Sequence, residues 1–500
     1  MERKYLKKVI DWNNDRKKPL VVYGARQIGK TYLIKDIFAE KYYKNNYIYI
    51  DFKKDSDARN FINFGGENDS PISDPKKIIN YLSLRNNKQI DKNTLLIFDE
   101  IQEALPIITS LKYFKQDYRD IPVIATGSMV RIKIKRTQQI SNRQKKEGFF
   151  FPVGSISELI MYPISFDEFL YNYNRMLYNT ILDAYNKKTP LDKSVHEMAM
   201  DVLYNYLLVG GMPENVQMFL DGKSMIKIRE NIASIFSDYL SDMELYQASS
   251  ESIIRAKMIF KNIYSQLNKE SKNFRPSLLE KGLINRSLVS PIDWLVTAKV
   301  VYKSDQIKEI VSIPLTASDE YNYRLYLMDL GLLAYQSDIN MSTFVDKNSR
   351  NSLSGVFFEN YIAEELQSNN IPLFFWKGKN DSEFEFVIND NNKVVPLDVK
   401  KGKGHLNSIK KYKEHNKLSY AVKISTNNYG YDDNNKILTI PLYMFFAYIN
   451  DIKSKNMEIY NNIPNKITMD SIYEVEEMDK NTSNNKTFND VDELIEDLNK

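Results

Sequence analysis

The chain of 500 residues carries 69 Lys and Arg against 65 Asp and Glu, a net charge of +4, with 43% hydrophobic and 27% charged residues. That balance describes a globular protein of about three or four domains with no global field for nucleic acid. It contains no cysteine, which excludes disulfides, thiol catalysis and thiolate metal sites, and its three histidines (His196, His405, His415) are too scattered for a zinc centre.

Residues 1–165 alternate strand and helix, as a parallel α/β sheet requires. Strands are predicted at 19–23, 46–52, 94–99, 121–126 and 157–163. The first, Leu20-Val21-Val22-Tyr23, runs into Gly24-Ala25-Arg26-Gln27-Ile28-Gly29-Lys30-Thr31, which reads G-x-x-x-x-G-K-T. A helix follows, with Tyr32, Leu33, Ile34, Ile37 and Phe38 as its apolar positions. Glycines let backbone N–H groups close around phosphate oxygens, and the helix N-terminus adds partial positive charge. Contacts to a nucleoside triphosphate are therefore expected from Gly24, Ala25, Arg26, Gln27, Ile28, Gly29, Lys30, Thr31 and Tyr32. Lys30 would reach the β- and γ-phosphates, and the Thr31 hydroxyl would bind Mg²⁺.

Thr94-Leu95-Leu96-Ile97-Phe98-Asp99-Glu100 is an apolar strand ending in two carboxylates. Asp99 is assigned to the metal and Glu100 to the base that polarises an attacking water. The strand Ile121–Thr126 runs into Gly127-Ser128, and Ser128 is either a sensor of the γ-phosphate or an ordinary loop serine. Between 131 and 147 stand seven basic residues and one acid, from Arg131 to Lys146. A solvated loop is the expectation, with a contact to a phosphate backbone or a neighbouring subunit's nucleotide as the alternative.

Residues 166–249 show helical apolar spacing, punctuated by Gly210-Gly211-Met212-Pro213-Glu214, and read as a helical lid. Residues 250–345 give helices, the Trp294 segment and short strands at 299–302 and 310–313, an order compatible with a winged-helix-like connector. Residues 350–450 read helix (357–366), strands (372–376, 384–388, 394–399), helix (406–415) and strands (420–424, 437–441). Residues 451–500 form an acidic, Asn-rich tail predicted to be largely disordered, with a short helix at 491–498. The N-terminus lacks an apolar signal core. The longest apolar stretch, Ile437 to Ile449, is interrupted by Pro441 and too short for a membrane span, so the cytoplasm is the expectation.

Within 350–450, Glu359 lies on the first helix, Glu385 on the second strand, and Asp398 and Lys400 flank Val399 on the third. Alternation puts Asp398 and Lys400 on one strand face. Converging carboxylates could hold Mg²⁺ while Lys400 positions water, as phosphodiester hydrolysis requires. A nuclease-like fold with a purely structural charged face is the equal alternative.

With these landmarks the chain resembles prokaryotic AAA-type ATPases with a C-terminal domain of unknown function built on a restriction-endonuclease-like core. The resemblance also rests on Phe98-Asp-Glu-Ile-Gln102, Thr126-Gly-Ser128, Tyr162-Pro-Ile-Ser-Phe-Asp-Glu-Phe169, Pro291-Ile-Asp-Trp-Leu295, Tyr326–Leu333, Gly355–Asn360 and Leu397-Asp-Val-Lys400, covering residues 15 to 450. It implies ATP binding and hydrolysis, with Mg²⁺ as cofactor, and a physiological substrate poorly defined for the family. Relatives often carry Arg or Lys where Ser155 stands, Asp at the place of Glu385 and Glu at that of Asp398. A basic role at 155 would have moved, for instance to Arg136 or Arg143. Two functions follow as expectations. One couples ATP turnover to a nuclease-like domain acting on DNA. The other is an ATP-dependent switch controlling a protein partner, with the nuclease-like fold as platform. Homo-oligomers are compatible with both, because AAA-type enzymes often complete their site with a neighbour's arginine.

Overall fold

The computed structural model describes residues 1–128, 152, 154–246, 250–340, 355–378, 382–400 and 407–462. The basic run at 131–147, with Arg136 and Arg143, and the tail after Asn462 lie outside the described residues. The chain divides into two units, Met1–Tyr448 and Ile449–Lys500, the second described as far as Asn462. Among the described residues no helix is long and apolar enough to cross a membrane.

Helix α1 (Tyr5–Asn14) precedes five parallel strands: β1 (Leu20–Tyr23), β2 (Tyr47–Asp51), β3 (Leu95–Asp99), β4 (Val123–Gly127) and β5 (Ser157–Ile160). Their spatial order is β2-β3-β4-β1-β5. The inner strands β1, β3 and β4 are buried along their whole length, which is why they read as unbroken apolar runs, whereas edge strand β2 buries only Ile48 and Ile50. Helices α2 (Tyr32–Ala39, wound as a π-helix), α3 (Ser56–Phe64), α4 (Pro75–Asn86) and α5 (Leu105–Asp117) connect the strands. Ile62, Leu82, Leu111 and Phe114 from α3–α5 close a core against Ile48, Leu96 and Phe98. The last strand stops at Ile160, short of the predicted 163. Tyr162 turns out of the ladder to donate its N–H to the Tyr5 hydroxyl, and Pro163 has no N–H to give.

A set of helices follows: α6 (Phe166–Tyr173), α7 (Arg175–Lys187), α8 (Lys193–Val209), α9 (Pro213–Leu220) and α10 (Met225–Tyr246). Ser165 and Glu168 form a capping box at the start of α6. Beyond them lie α11 (Ser250–Leu267), α12 (Val289–Thr297), β6 (Val301–Ile307), β7 (Tyr323–Leu327) and α13 (Leu330–Gln336). The strand predicted at 310–313 is absent. Val311 N–H goes to the Asn416 side chain (2.7 Å) instead of a ladder, and Pro314 cannot extend one. The second strand of this region is β7.

The remaining elements are α14 (Gly355–Ser368), β8 (Phe374–Lys377), β9 (Glu383–Phe384), β10 (Phe386–Asp390), β11 (Lys393–Lys400), α15 (Asn407–His415), β12 (Ala421–Ser425), β13 (Gly430–Asp432), β14 (Ile437–Pro441) and α16 (Phe445–Asn462). They build a mixed sheet ordered β10-β11-β12-β14-β13. A second sheet, β7-β6-β8-β9, takes strands from both sides of residue 345. Trp376, Phe384, Val387 and Tyr412 pack in one cluster with Ile307 and Ile437. The predicted strand 384–388 is divided at Glu385, which stands between β9 and β10.

Candidate nucleotide-binding site

Because β4 lies between β1 and β3, the glycine loop after β1 and the carboxylates after β3 open at the same sheet edge. Asp99 is 3% exposed and is held by hydrogen bonds from all sides. Its Oδ2 accepts from Thr31 Oγ1 (2.8 Å) and the Tyr49 hydroxyl (2.8 Å); its Oδ1 accepts from Glu100 N (2.9 Å) and Thr126 Oγ1. Thr31 and Asp99, the two residues expected at the metal, are thus in direct contact. The polar partner that β4 supplies to Asp99 is Thr126, two residues before Ser128, the expected sensor, which is buried at the strand's end.

Lys30 is buried, and its Nζ donates to Ala25 O (2.7 Å) and Gly24 O (3.2 Å). Burial lowers its pKa to about 8, against the pull of Glu100 and Asp99, with Arg26 acting in the same direction as burial. Glu100 takes a left-handed conformation (φ 53°), and its carboxylate accepts a hydrogen bond from the Gln102 amide.

The rest of the loop is framed by other parts of the fold. A Cβ on Gly24 would sit 2.2 Å from Met161 O, so only glycine fits where the loop passes the end of β5. Arg3 spans three groups, with Nε on Glu168 Oε1 (3.0 Å), Nη2 on Tyr162 O (2.8 Å) and Nη1 on Ile28 O (3.3 Å). Helix α10 grips the loop from one face. Asp242 pairs with Arg26, Asp238 accepts from Gln27 Nε2 (2.7 Å), and the Tyr239 hydroxyl donates to Arg26 O (2.6 Å). Burial raises the Asp242 carboxyl pKa, and Arg26 counters it. Pro213, in the Gly-Gly-Met-Pro-Glu turn, lies 3.6 Å from where a side chain on Gly29 would begin.

Sequence reasoning missed Tyr49, Thr126, Arg3, Asp238, Tyr239 and Asp242. Thr126 stood in view as the last residue of a predicted strand. The spacing of Asp238 and Asp242 on one helical face was also legible, though nothing local said what they face.

The second set is also brought together, as an ion-pair network. Lys400 Nζ contacts Glu385 Oε1 (2.8 Å) and Asp398 Oδ1 (3.2 Å), and Val399 N donates to Glu385 Oε2 (3.0 Å). Two further cations enter from outside the predicted set. Lys272, in the segment after α11, pairs with Glu359 and reaches Glu383 (3.5 Å) and Glu385 (3.6 Å); Arg324 of β7 pairs with Glu383 (2.7 Å). Burial works to raise the Glu385 pKa, but Lys400, Lys272 and the Val399 N–H outweigh it and hold the carboxyl low. Asp398 is raised to about 7 by burial, with Glu385 adding to the shift. Among the described residues no group of three or more His, Cys, Asp or Glu is placed to hold a metal ion. The carboxylates already face lysine and arginine.

The fold and the loop define the class of this part of the chain. Residues 16–170 match the family model of an AAA domain. That match supports a P-loop, AAA-type ATPase domain and, with it, ATP binding. Residues 200–343 and 354–443 match two domains of unknown function, DUF8612 and DUF4143. No curated protein matches. Among solved structures, the Walker-type ATPase of Pyrococcus abyssi is similar at 14% identity and a TM-score of 0.41, over 67% of this chain and 95% of that one.

Proposed function

We propose that the chain binds and hydrolyses MgATP at Gly24–Tyr32 and passes its nucleotide state to helix α10. It would thereby act as an ATP-dependent switch for a protein partner, with the C-terminal fold as a non-catalytic platform. The carrying observation is that Arg26 and Gln27, inside the phosphate loop, are gripped by Asp242, Asp238 and Tyr239 of a single helix. A triphosphate entering the loop would compete for Arg26, so occupancy and helix position become linked.

The residues present fit the cofactor. A threonine hydroxyl and a carboxylate in contact suit Mg²⁺, which takes few protein ligands and keeps its waters and phosphates. Thr31 and Asp99 would hold it. Mg²⁺ held there would supply positive charge to offset the negative charge that develops on the phosphates in transfer. Lys30 would exchange its carbonyl partners for the β- and γ-phosphates, which restores the charge that burial weakens. Glu100 would orient the attacking water, and Ser128 stands near enough to the strand end to be tested beside it.

Action on DNA is the weaker reading, because the carboxylates it needs are paired with Lys272, Arg324 and Lys400. Lys30→Ala should abolish ATP hydrolysis, read as phosphate release; normal turnover in that variant would overturn the assignment. Glu100→Gln should keep ATP binding, lose turnover and enrich nucleotide-dependent partners in a pull-down relative to the wild type.

A further inference from the structure

Strand β2 alternates along Tyr47-Ile48-Tyr49-Ile50-Asp51, with the two isoleucines buried and the other three residues half-buried. Ile48 and Ile50 enter the core that α3–α5 close, so Tyr49 and Asp51 face the other side of the sheet. In the parallel ladder Tyr49 stands beside Ile97, and Asp51 beside Asp99. Asp99 is therefore the diagonal neighbour of Tyr49 on that face, within reach of an aromatic side chain. Helix α2 meets the same residue from above, where Lys35 Nζ lies 5.0 Å from the centre of the Tyr49 ring.

Two hydroxyls converge on one carboxylate oxygen. Thr31 Oγ1 and the Tyr49 hydroxyl both donate to Asp99 Oδ2, each at 2.8 Å. A carboxylate only accepts, so the Thr31 proton points at Asp99 and its lone pairs turn away, where a cation would use them. That orientation lasts only while Oδ2 stays in place. Oδ1 is fixed by the backbone N–H of Glu100 and by Thr126. Oδ2 has Tyr49 alone, apart from Thr31 itself, among the described residues.

We propose that Tyr49 is a positioning residue for the Thr31–Asp99 pair: by holding Asp99 Oδ2 it aims the Thr31 hydroxyl, and so governs the grip on the divalent ion rather than on the nucleotide. This rests on the MgATP reading above and adds to that site a residue from the edge strand of the sheet.

The experiment is titration calorimetry of the full chain with the non-hydrolysable β,γ-imido analogue of ATP, once with Mg²⁺ and once with EDTA. The ratio of the two affinities measures what the ion adds. Tyr49→Phe keeps the ring and removes only the donor. Its affinity in EDTA should equal that of wild type, while its affinity with Mg²⁺ should fall about tenfold, as losing a hydrogen-bond partner of a metal-holding side chain does. Lys35→Met removes the charge over the ring but leaves the hydroxyl, so it should keep the wild-type ratio. An equal fall with and without the ion would mean general damage to the loop and overturns the proposal. So does a Tyr49→Phe ratio that is unchanged or higher, or a Lys35→Met ratio that drops as far as that of Tyr49→Phe. Failure of the MgATP reading looks different: wild type itself would bind no analogue, or bind it equally with Mg²⁺ and with EDTA, and both assignments would fall.

Discussion

At the scale of single residues, Asp99 shows how a site is assembled from parts that sequence does not rank equally. Its four hydrogen-bond donors come from the glycine loop, β2, its own chain neighbour and β4. Thr126→Val keeps the shape of the side chain but leaves a nearly buried carboxylate oxygen with one donor fewer, at about 1–3 kcal/mol. The variant should melt lower than wild type, and Thr126→Ser should recover most of the loss. Equal melting of the valine and wild-type proteins would deny the bond its importance. The carboxylate pair and the glycine loop were legible because each is a contiguous pattern with its own chemistry. Thr126 was not, because Ser128 offered the same polarity two positions later and only the strand register tells them apart. Lys272 was out of reach altogether: it meets Glu359 across 87 positions of sequence, and a lone lysine in a polar segment carries no local signal.

At the scale of elements, the Gly-Gly-Met-Pro-Glu turn has a specific packing role. Gly210 takes φ +72°, and a Cβ there would meet Gly331 N at 2.5 Å and the Asp329 carboxylate at 2.6 Å. That carboxylate caps α13 through Leu332 N (3.0 Å) and also accepts from Gly211 N, so the turn and the helix are built on one side chain. Burial lifts the Asp329 pKa to about 6, offset by those backbone donors. Gly222 supplies the comparison, with a similar φ of +70° and open space around its Cβ position. Gly222→Ala should cost only the left-handed backbone term of about 1–2 kcal/mol. Gly210→Ala adds overpacking of about 1–3 kcal/mol on top, so it should denature at clearly lower urea than Gly222→Ala. Coincident transitions would show that the turn yields without strain. The sequence marked this motif as a helix stop and restart, which it is; the groups that demand its glycines lie far off in the chain, Asp329 and Gly331 for Gly210 and the Ile164 backbone for Gly211.

At the scale of the whole chain, buried acids join the ATPase core to later segments. Glu365 of α14 accepts from Phe166 N (3.0 Å) at the start of α6, beside Lys4 and Asp167. Burial, reinforced by Asp167, raises its pKa from 4.5 to about 8, with Lys4 and the Phe166 N–H opposing. The folded state thus favours the neutral acid. Stability from this group is full below its unfolded value and falls as pH climbs toward the folded one. Glu365→Gln retains an oxygen for Phe166 N and cannot ionise. It should melt above wild type at about pH 9, with the gap closing near pH 5. A gap independent of pH would remove ionisation as the cause. The order of α and β segments was readable along the chain because periodicity is local. The sharing of one sheet across residue 345 was not, because strand partnership between distant segments leaves no periodic trace.

That shared sheet bears on how the chain can be cut and inherited. Strand β6 has β7 as an antiparallel neighbour, and along Asp305–Ile307 it has β8 as a parallel one. A fragment ending after α13 would present those residues' amide and carbonyl groups as a bare edge, ready to recruit a stray strand. The matches at 200–343 and 354–443 lie on either side of that pairing, so the two segments share one sheet. Expressed apart, each would lose strand partners across the β6–β8 pairing.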